Sequence, residues 1–366
     1  MKVLVTGDWH IGVSQYGVAL EDGRNSRLVD VEAVLHRVID FAAKQSVDLF
    51  VCAGDVFHTN RPTPEEQRVF YRILLHLQRV NLESRFIIGN HDYNAKLGAS
   101  HAMKIFMDVL EGDESIKIYD ETTWESFEQP DGDPLLVCFY PYRGTAPEWA
   151  EMAQYGAVHA TALVCHSHLE GAVVGAEPFE IRDDTATRFS QLPVDFVWAG
   201  HFHKPQLLCH RPLAFYPGSI QCVDFNERHD VKGVVLVDTR ERTYECAGFE
   251  TRRFVQADLD GRVELSDADM RDMPEAIVKV NIKMPESRAH EFNEAAIRQQ
   301  IVDRGAHSVA AINLELERQV VVRDAEVRLD RGLKENFTRF AEGRDYGDIA
   351  TEVMAKGLEV IERCAQ

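Results

Sequence analysis

The chain has 366 residues, 45% hydrophobic and 27% charged, with a formal net charge of -20. That length holds one large domain plus a smaller one, and the composition is that of a soluble globular protein. No run of about 18 apolar residues occurs, which excludes a spanning helix, and the acidic balance excludes unspecific duplex binding through a broad basic surface.

The first strand begins at once, so no secretory leader is expected. Seven cysteines without paired short spacing read as reduced, mostly buried thiols of a cytoplasmic protein. The apolar run from Val3 ends in Gly7-Asp8-Trp9-His10. Val13 to Arg27, with Arg24, Asn25 and Arg27, reads as a long polar loop, either plain surface or facing a substrate. Leu28 to Gln45 has apolar residues at helical spacing and returns the chain to a strand ending in Gly54-Asp55, with His58 just beyond. Pro64, Glu65 and Glu66 open a helix that runs to about Val80. A third strand enters Gly89-Asn90-His91-Asp92. Lys104 to Leu110 is a short helix, Ile116 to Tyr119 and Leu135 to Tyr140 are strands, and Glu128 to Pro134 is the turn between them. After a helix over Glu148 to Tyr155, the strand Ala162 to Cys165 ends in His166-Ser167-His168. Gly171 to Leu192 is polar and irregular. The next strand ends in Gly200-His201-Phe202-His203, and strands recur at Leu213 to Tyr216, Gly233 to Asp238 and Thr243 to Phe249. Asp258 to Glu275 is acidic and linker-like. A β-α-β piece follows (Ala276 to Met284, Arg288 to Arg304, Val309 to Leu316), then amphipathic helices over Leu333 to Ala341 and Tyr346 to Arg363. This order predicts an α/β chain of two packed sheets with helices outside.

Five strands therefore end in a carboxylate, amide or imidazole, where open α/β sheets place their sites. The donors are oxygen and imidazole nitrogen, a set that suits Mn²⁺, Fe or Zn. Cys165, beside His166, reads as a thiol buried in its strand. His36, His76 and His229 lie away from strand ends and read as ordinary surface or packed residues.

The order Asp-x-His, Gly-Asp, Gly-Asn-His-Asp, His, Gly-His-x-His resembles the calcineurin-like metallophosphoesterases. Gly7-Asp8-Trp9-His10-Ile11-Gly12, Ala53-Gly54-Asp55-Val56-Phe57-His58 and Gly200-His201-Phe202-His203 resemble the SbcD-type DNA nuclease subunits and their phage relatives. The resemblance runs by motif to about residue 250 and by layout beyond. It implies a four-layer α/β/β/α sandwich over residues 1–250, a capping domain over 251–325 and C-terminal helices over 326–366 that dock on an SbcC-like coiled-coil ATPase. It implies two divalent ions, Mn²⁺ in this family. Asp8, His10, Asp55 and His203 would hold the first. Asp55, Asn90, His166 and His201 would hold the second, with Asp55 shared. His168 competes with His166; His166 is preferred because it stands directly at the strand end and is followed after four residues by Gly171-Ala172, as in the SbcD pattern. His91 would give a proton to the leaving oxygen and His58 would help place the phosphate. Asp92 would either orient His91 or cap the turn. The implied activity is 3′→5′ degradation of duplex DNA ends and opening of hairpins, by a homodimer within a heterotetramer that binds DNA weakly without its ATPase. A small-molecule phosphodiesterase or phosphatase, and a non-catalytic DNA-end scaffold, are the rival readings.

Overall fold

The computed structural model describes residues 1–94, 100–129, 132–142, 160–174, 179–180, 192–317 and 331–364. The chain divides into two compact units, Met1–Ile282 with Asn293–Leu314, and Lys283–Phe292 with Glu315–Gln366. The first unit opens with β1 (Lys2–Thr6), α1 (Ser26–Lys44), β2 (Leu49–Cys52), α2 (Pro64–Arg79), β3 (Ser84–Ile87), α3 (Lys104–Val109) and β4 (Ile116–Tyr119). It continues with β5 (Thr123–Phe127), β6 (Leu135–Tyr140), β7 (Thr161–His166), β8 (Phe196–Gly200), β9 (Gln206–His210), β10 (Leu213–Tyr216), β11 (Gly233–Asp238) and β12 (Thr243–Gly248).

Two six-stranded mixed sheets result, in the orders β12-β11-β1-β2-β3-β4 and β9-β10-β8-β7-β6-β5. β1 to β4 run parallel, as do β6, β7, β8 and β10. Val3, Val5, Leu49 and Val51 of the first sheet pack against Val137, Ala162, Val164, Phe196 and Trp198 of the second, so the sheets lie face to face with an apolar core between them. The other face of the first sheet carries α1, α2 and α3, through Val31, Leu35, Val38, Phe70, Ile73 and Phe106.

α1 starts at Ser26, earlier than expected, because the Asn25 side chain accepts from the Arg27 N–H and caps the helix. Arg27 therefore leaves the mouth loop: it is fully buried and donates to the Cys222 carbonyl. α2 is held by a capping box between Thr63 and Glu66, with Pro64 at its start. β5 and β9 were not expected. Both are edge strands with half-exposed residues, so neither shows the continuous apolar run of the buried strands. The helix expected at Glu148 to Tyr155, and most of the polar stretch Gly171 to Leu192, lie outside the described residues.

Past residue 250 the acidic stretch is not all linker. β13 (Phe254–Asp260) joins β14 (Ile277–Pro285) and β15 (Ser308–Glu317) in a three-stranded sheet. The helix expected over Arg288 to Arg304 is broken into a 3₁₀ turn, Glu286–Glu291, and α4 (Glu294–Asp303), because Asn293 accepts from Ala296 N–H and starts a new helix. In the second unit α5 (Leu333–Glu342) packs on α6 (Ala350–Cys364), where Gly357 leaves room for the Phe337 ring.

Candidate metal centre

Each site turn alternates between the core and the sheet edge. Trp9 is fully buried among Phe50, Phe70 and Phe86, which turns its neighbours Asp8 and His10 the other way. Phe57 packs on Phe70 and Phe106 and fixes the turn between Asp55 and His58 in the same manner. Asp8, His10, Asp55 and His201 have positive φ (50°, 48°, 52° and 111°), a conformation uncommon for non-glycine residues and concentrated where a site demands it. The glycines give room. A Cβ on Gly89 would collide with the Asp55 carboxylate, and one on Gly200 with the Ala53 carbonyl and the His166 ring.

These turns bring Asp8, His10 and His203 together in one cluster and Asp55, His166 and His201 in a second, each with ligand atoms within 4.8 Å of one another. The His10 and His203 Nε2 atoms are 2.9 Å apart. Asn90 Oδ1 lies 2.8 Å from both His166 Nε2 and His201 Nδ1, so the amide joins the second cluster. One oxygen of Asp55, Oδ2, is 3.8 Å from His10 Nε2 and 3.4 Å from His166 Nε2. It faces both groups. His168 adjoins the second cluster: its Nε2 lies 2.5 Å from that of His201 and its ring stacks on Phe202. His58, His91 and His10 form a third group, with the His58 and His91 rings stacked at 5.6 Å between centroids. His36 and His76 pair with each other between α1 and α2 instead.

Converging lone pairs in a buried space need a cation, and the electrostatics supply one. Burial pushes the Asp55 carboxyl up, but the His166 imidazole beside it outweighs burial and holds it well below the usual carboxylate range. Burial works against the His166 cation too, yet the Asp55 carboxylate raises it to about 9. His201, buried and beside His166 and His168, is pushed down to about 3 and stays a neutral donor. The donor set, two triads with the Asp55 carboxylate facing both and an added amide oxygen, fits two hard-to-borderline divalent ions.

The outer partners fix ring orientation. His166 donates from Nδ1 to the Ala53 carbonyl at 2.8 Å, leaving Nε2 for the cluster. The Asp8 carboxylate accepts the His201 backbone N–H at 3.0 and 3.1 Å. Asp92 takes the capping place of its two expected ones, since its oxygens accept the N–H groups of Val56, Phe57 and Gly89 at 3.2, 2.8 and 2.9 Å. His91 donates from Nδ1 to the His58 carbonyl, 2.8 Å away. Sequence reasoning missed Glu227, whose Oε1 lies 2.8 Å from His203 Nδ1. It sits in a short turn, Asp224-Phe225-Asn226-Glu227, with no strand before it, and nothing local distinguishes it from a surface acid.

The fold and this paired cluster define a metallophosphoesterase: residues 1–205 match the calcineurin-like phosphoesterase family model, and the chain belongs to that family. Among characterised proteins it is similar to the SbcD component of nuclease SbcCD from Bacillus subtilis (strain 168), 26% identical over 66% of this chain and 66% of that protein. It is also similar to exonuclease subunit 1 of Enterobacteria phage T4, 23% identical over 73% of this chain and 74% of that protein. A third relative, the SbcD component of nuclease SbcCD from Escherichia coli (strain K12), is 31% identical over 30% of this chain and 26% of that protein. The chain thus spans about two thirds of the first relative's length and about a quarter of the third's.

Proposed function

We propose that this chain is the nuclease subunit of an SbcCD-type assembly, hydrolysing DNA phosphodiester bonds with two Mn²⁺ ions. The observation that carries the reading is Asp55 Oδ2, which faces the Asp8/His10/His203 cluster and the Asn90/His166/His201 cluster at once. Bound there, two divalent ions supply Lewis-acid polarisation of the phosphate oxygen and the attacking water. The chain's own residues do the rest. Asp8, His10 and His203 hold one position; Asn90, His166 and His201 hold the other. As the imidazolium, His91 keeps Nδ1–H on the His58 carbonyl and gives its Nε2 proton to the leaving sugar oxygen. His58, stacked on His91, steadies the phosphate.

The names of the relatives, one subunit of a nuclease and one of an exonuclease, support a nucleic-acid substrate and a further subunit, which the motif resemblance to SbcD-type subunits makes DNA and a coiled-coil ATPase. In this reading the cytoplasmic assembly is a dimer of the nuclease bound to two ATPases, degrading duplex ends 3′→5′ and opening hairpins. The two-sheet body with its three-stranded sheet is the four-layer nuclease domain and cap, and α5 and α6 form the docking segment. The test is one assay on plasmid, hairpin DNA and nucleotide esters, with Mn²⁺ and with or without the ATPase. Cleavage of hairpin and duplex ends that rises with the ATPase is expected. Activity confined to nucleotide esters would replace this reading with a small-molecule phosphodiesterase.

A further inference from the structure

The geometry points to Glu227 as a positioning residue that acts through His203. The inference rests on the two-ion reading above and concerns residues that no local motif marks. Glu227 Oε1 accepts from His203 Nδ1 at 2.8 Å. Its other oxygen, Oε2, accepts from Lys232 Nζ at 2.7 Å, Val223 N at 3.1 Å and Ser219 Oγ at 3.2 Å. Lys232 is buried, and it also donates to the His203 carbonyl at 3.0 Å and to Ser219 Oγ at 3.0 Å. One buried ion pair therefore holds the same histidine at ring and backbone.

The consequence is a fixed tautomer and a fixed ring face. A carboxylate can only accept, so Nδ1 of His203 carries a hydrogen and Nε2 is the nitrogen left for the cluster. That Nε2 faces the His10 Nε2, inside the first cluster. Carboxylates that hold a ligand histidine in this way raise its donor strength and stop the ring turning. The lysine lies between Glu227 and a second carboxylate, Asp230, 3.5 Å away. The 3₁₀ turn Phe225–Glu227 is itself anchored. Asp224 accepts from Asn226 N–H at 2.7 Å, and the Phe225 ring packs between Tyr16 and Phe254, at 5.3 and 5.0 Å between centroids.

The test uses the full chain and Mn²⁺ alone as the probe. Removing Glu227 by itself would leave the buried Lys232 with Asp230, 3.5 Å away, as its remaining carboxylate and cost stability for that reason. The informative pair is E227L/K232M, which deletes the acceptor and the cation together, and E227Q/K232M, which keeps an accepting oxygen. Calorimetric titration should show E227L/K232M binding one of two Mn²⁺ ions about 10–100-fold more weakly, with E227Q/K232M close to the parent. Equal affinity in E227L/K232M and the parent would overturn the proposal. So would an equal loss in both double variants, because the accepting oxygen would then be irrelevant. If E227L/K232M does not fold, ¹⁵N spectra of metal-free parent labelled at histidine decide: a hydrogen-bonded Nδ1–H on His203 supports the proposal, and an Nδ1 without a hydrogen overturns it. A parent that binds no Mn²⁺ fails the two-ion reading itself, a result distinct from any of these.

Discussion

Asp55 and His166 form an ion pair in the metal-free chain, with the imidazole raised to about 9. A divalent ion in the second cluster has to displace that proton. The group is protonated below about 9 and neutral above it, so rising pH removes the competitor. Apparent Mn²⁺ affinity of the second cluster should climb about tenfold per pH unit between pH 7 and 9, then level off, with the His166 proton released as that cluster fills at pH 7.5 in a weakly buffered titration. Asp55 adds nothing to that slope, because its carboxyl is held below the usual range and is already ionised. A flat profile would show that His166 is neutral in the free protein. His91 makes a different prediction. His91→Ala should retain both ions and lose about 10²–10⁴-fold in turnover, the usual scale of acid–base assistance. Loss of metal instead, read by mass spectrometry, would make His91 a ligand through the His10/His58/His91 group.

At the scale of elements, legibility follows burial. β1, β2, β3, β7 and β8 are buried almost from end to end, so each shows as an apolar run, and the polar residue after it marks the sheet edge. Residues that act through a contact distant in sequence show no such mark. Glu227 reaches His203 across 24 positions from a surface-like turn, and the Asp92 carboxylate is bound to amides 35 and 36 positions back. β13 was hidden for another reason: its buried residues Phe254, Ala257 and Leu259 do not alternate regularly, and the exposed Asp258 and Asp260 make its second half look like polar linker. Phe254 joins Cys222, Phe225 and Ile277 in a buried cluster with Tyr16 beside it, and Arg252 pairs with Asp30 of α1 at 2.6 Å. Phe254→Ala should therefore destabilise the first unit by about 3–5 kcal/mol, in the range for aromatic truncation in a core. Urea unfolding followed by tryptophan fluorescence measures this. A second, separate transition that alone responds to the substitution would show that residues beyond 250 fold independently.

At the scale of the whole molecule, the charge of -20 sets the expectation for DNA. Few phosphate contacts are available without clustered Lys and Arg, so duplex binding by the isolated chain should be weak and should tighten when a partner adds basic surface. In the second unit Leu333, Ile349 and Val360 are exposed on α5, the adjoining turn and α6. Removing residues 343–366 should leave hydrolysis of short single strands nearly intact and abolish capture of the coiled-coil ATPase in a pull-down. A truncated chain that still captures the ATPase would place docking elsewhere.

The shared carboxylate is the centre of this account, and electron paramagnetic resonance of Mn²⁺-loaded protein tests it most directly. Two ions bridged by Asp55 would lie about 3.5–4 Å apart and should give the broadened, exchange-coupled spectrum of a pair at two equivalents of metal. Asp55→Asn should abolish that coupling. Two uncoupled six-line signals in the parent, or a single ion per chain at saturation, would contradict the account.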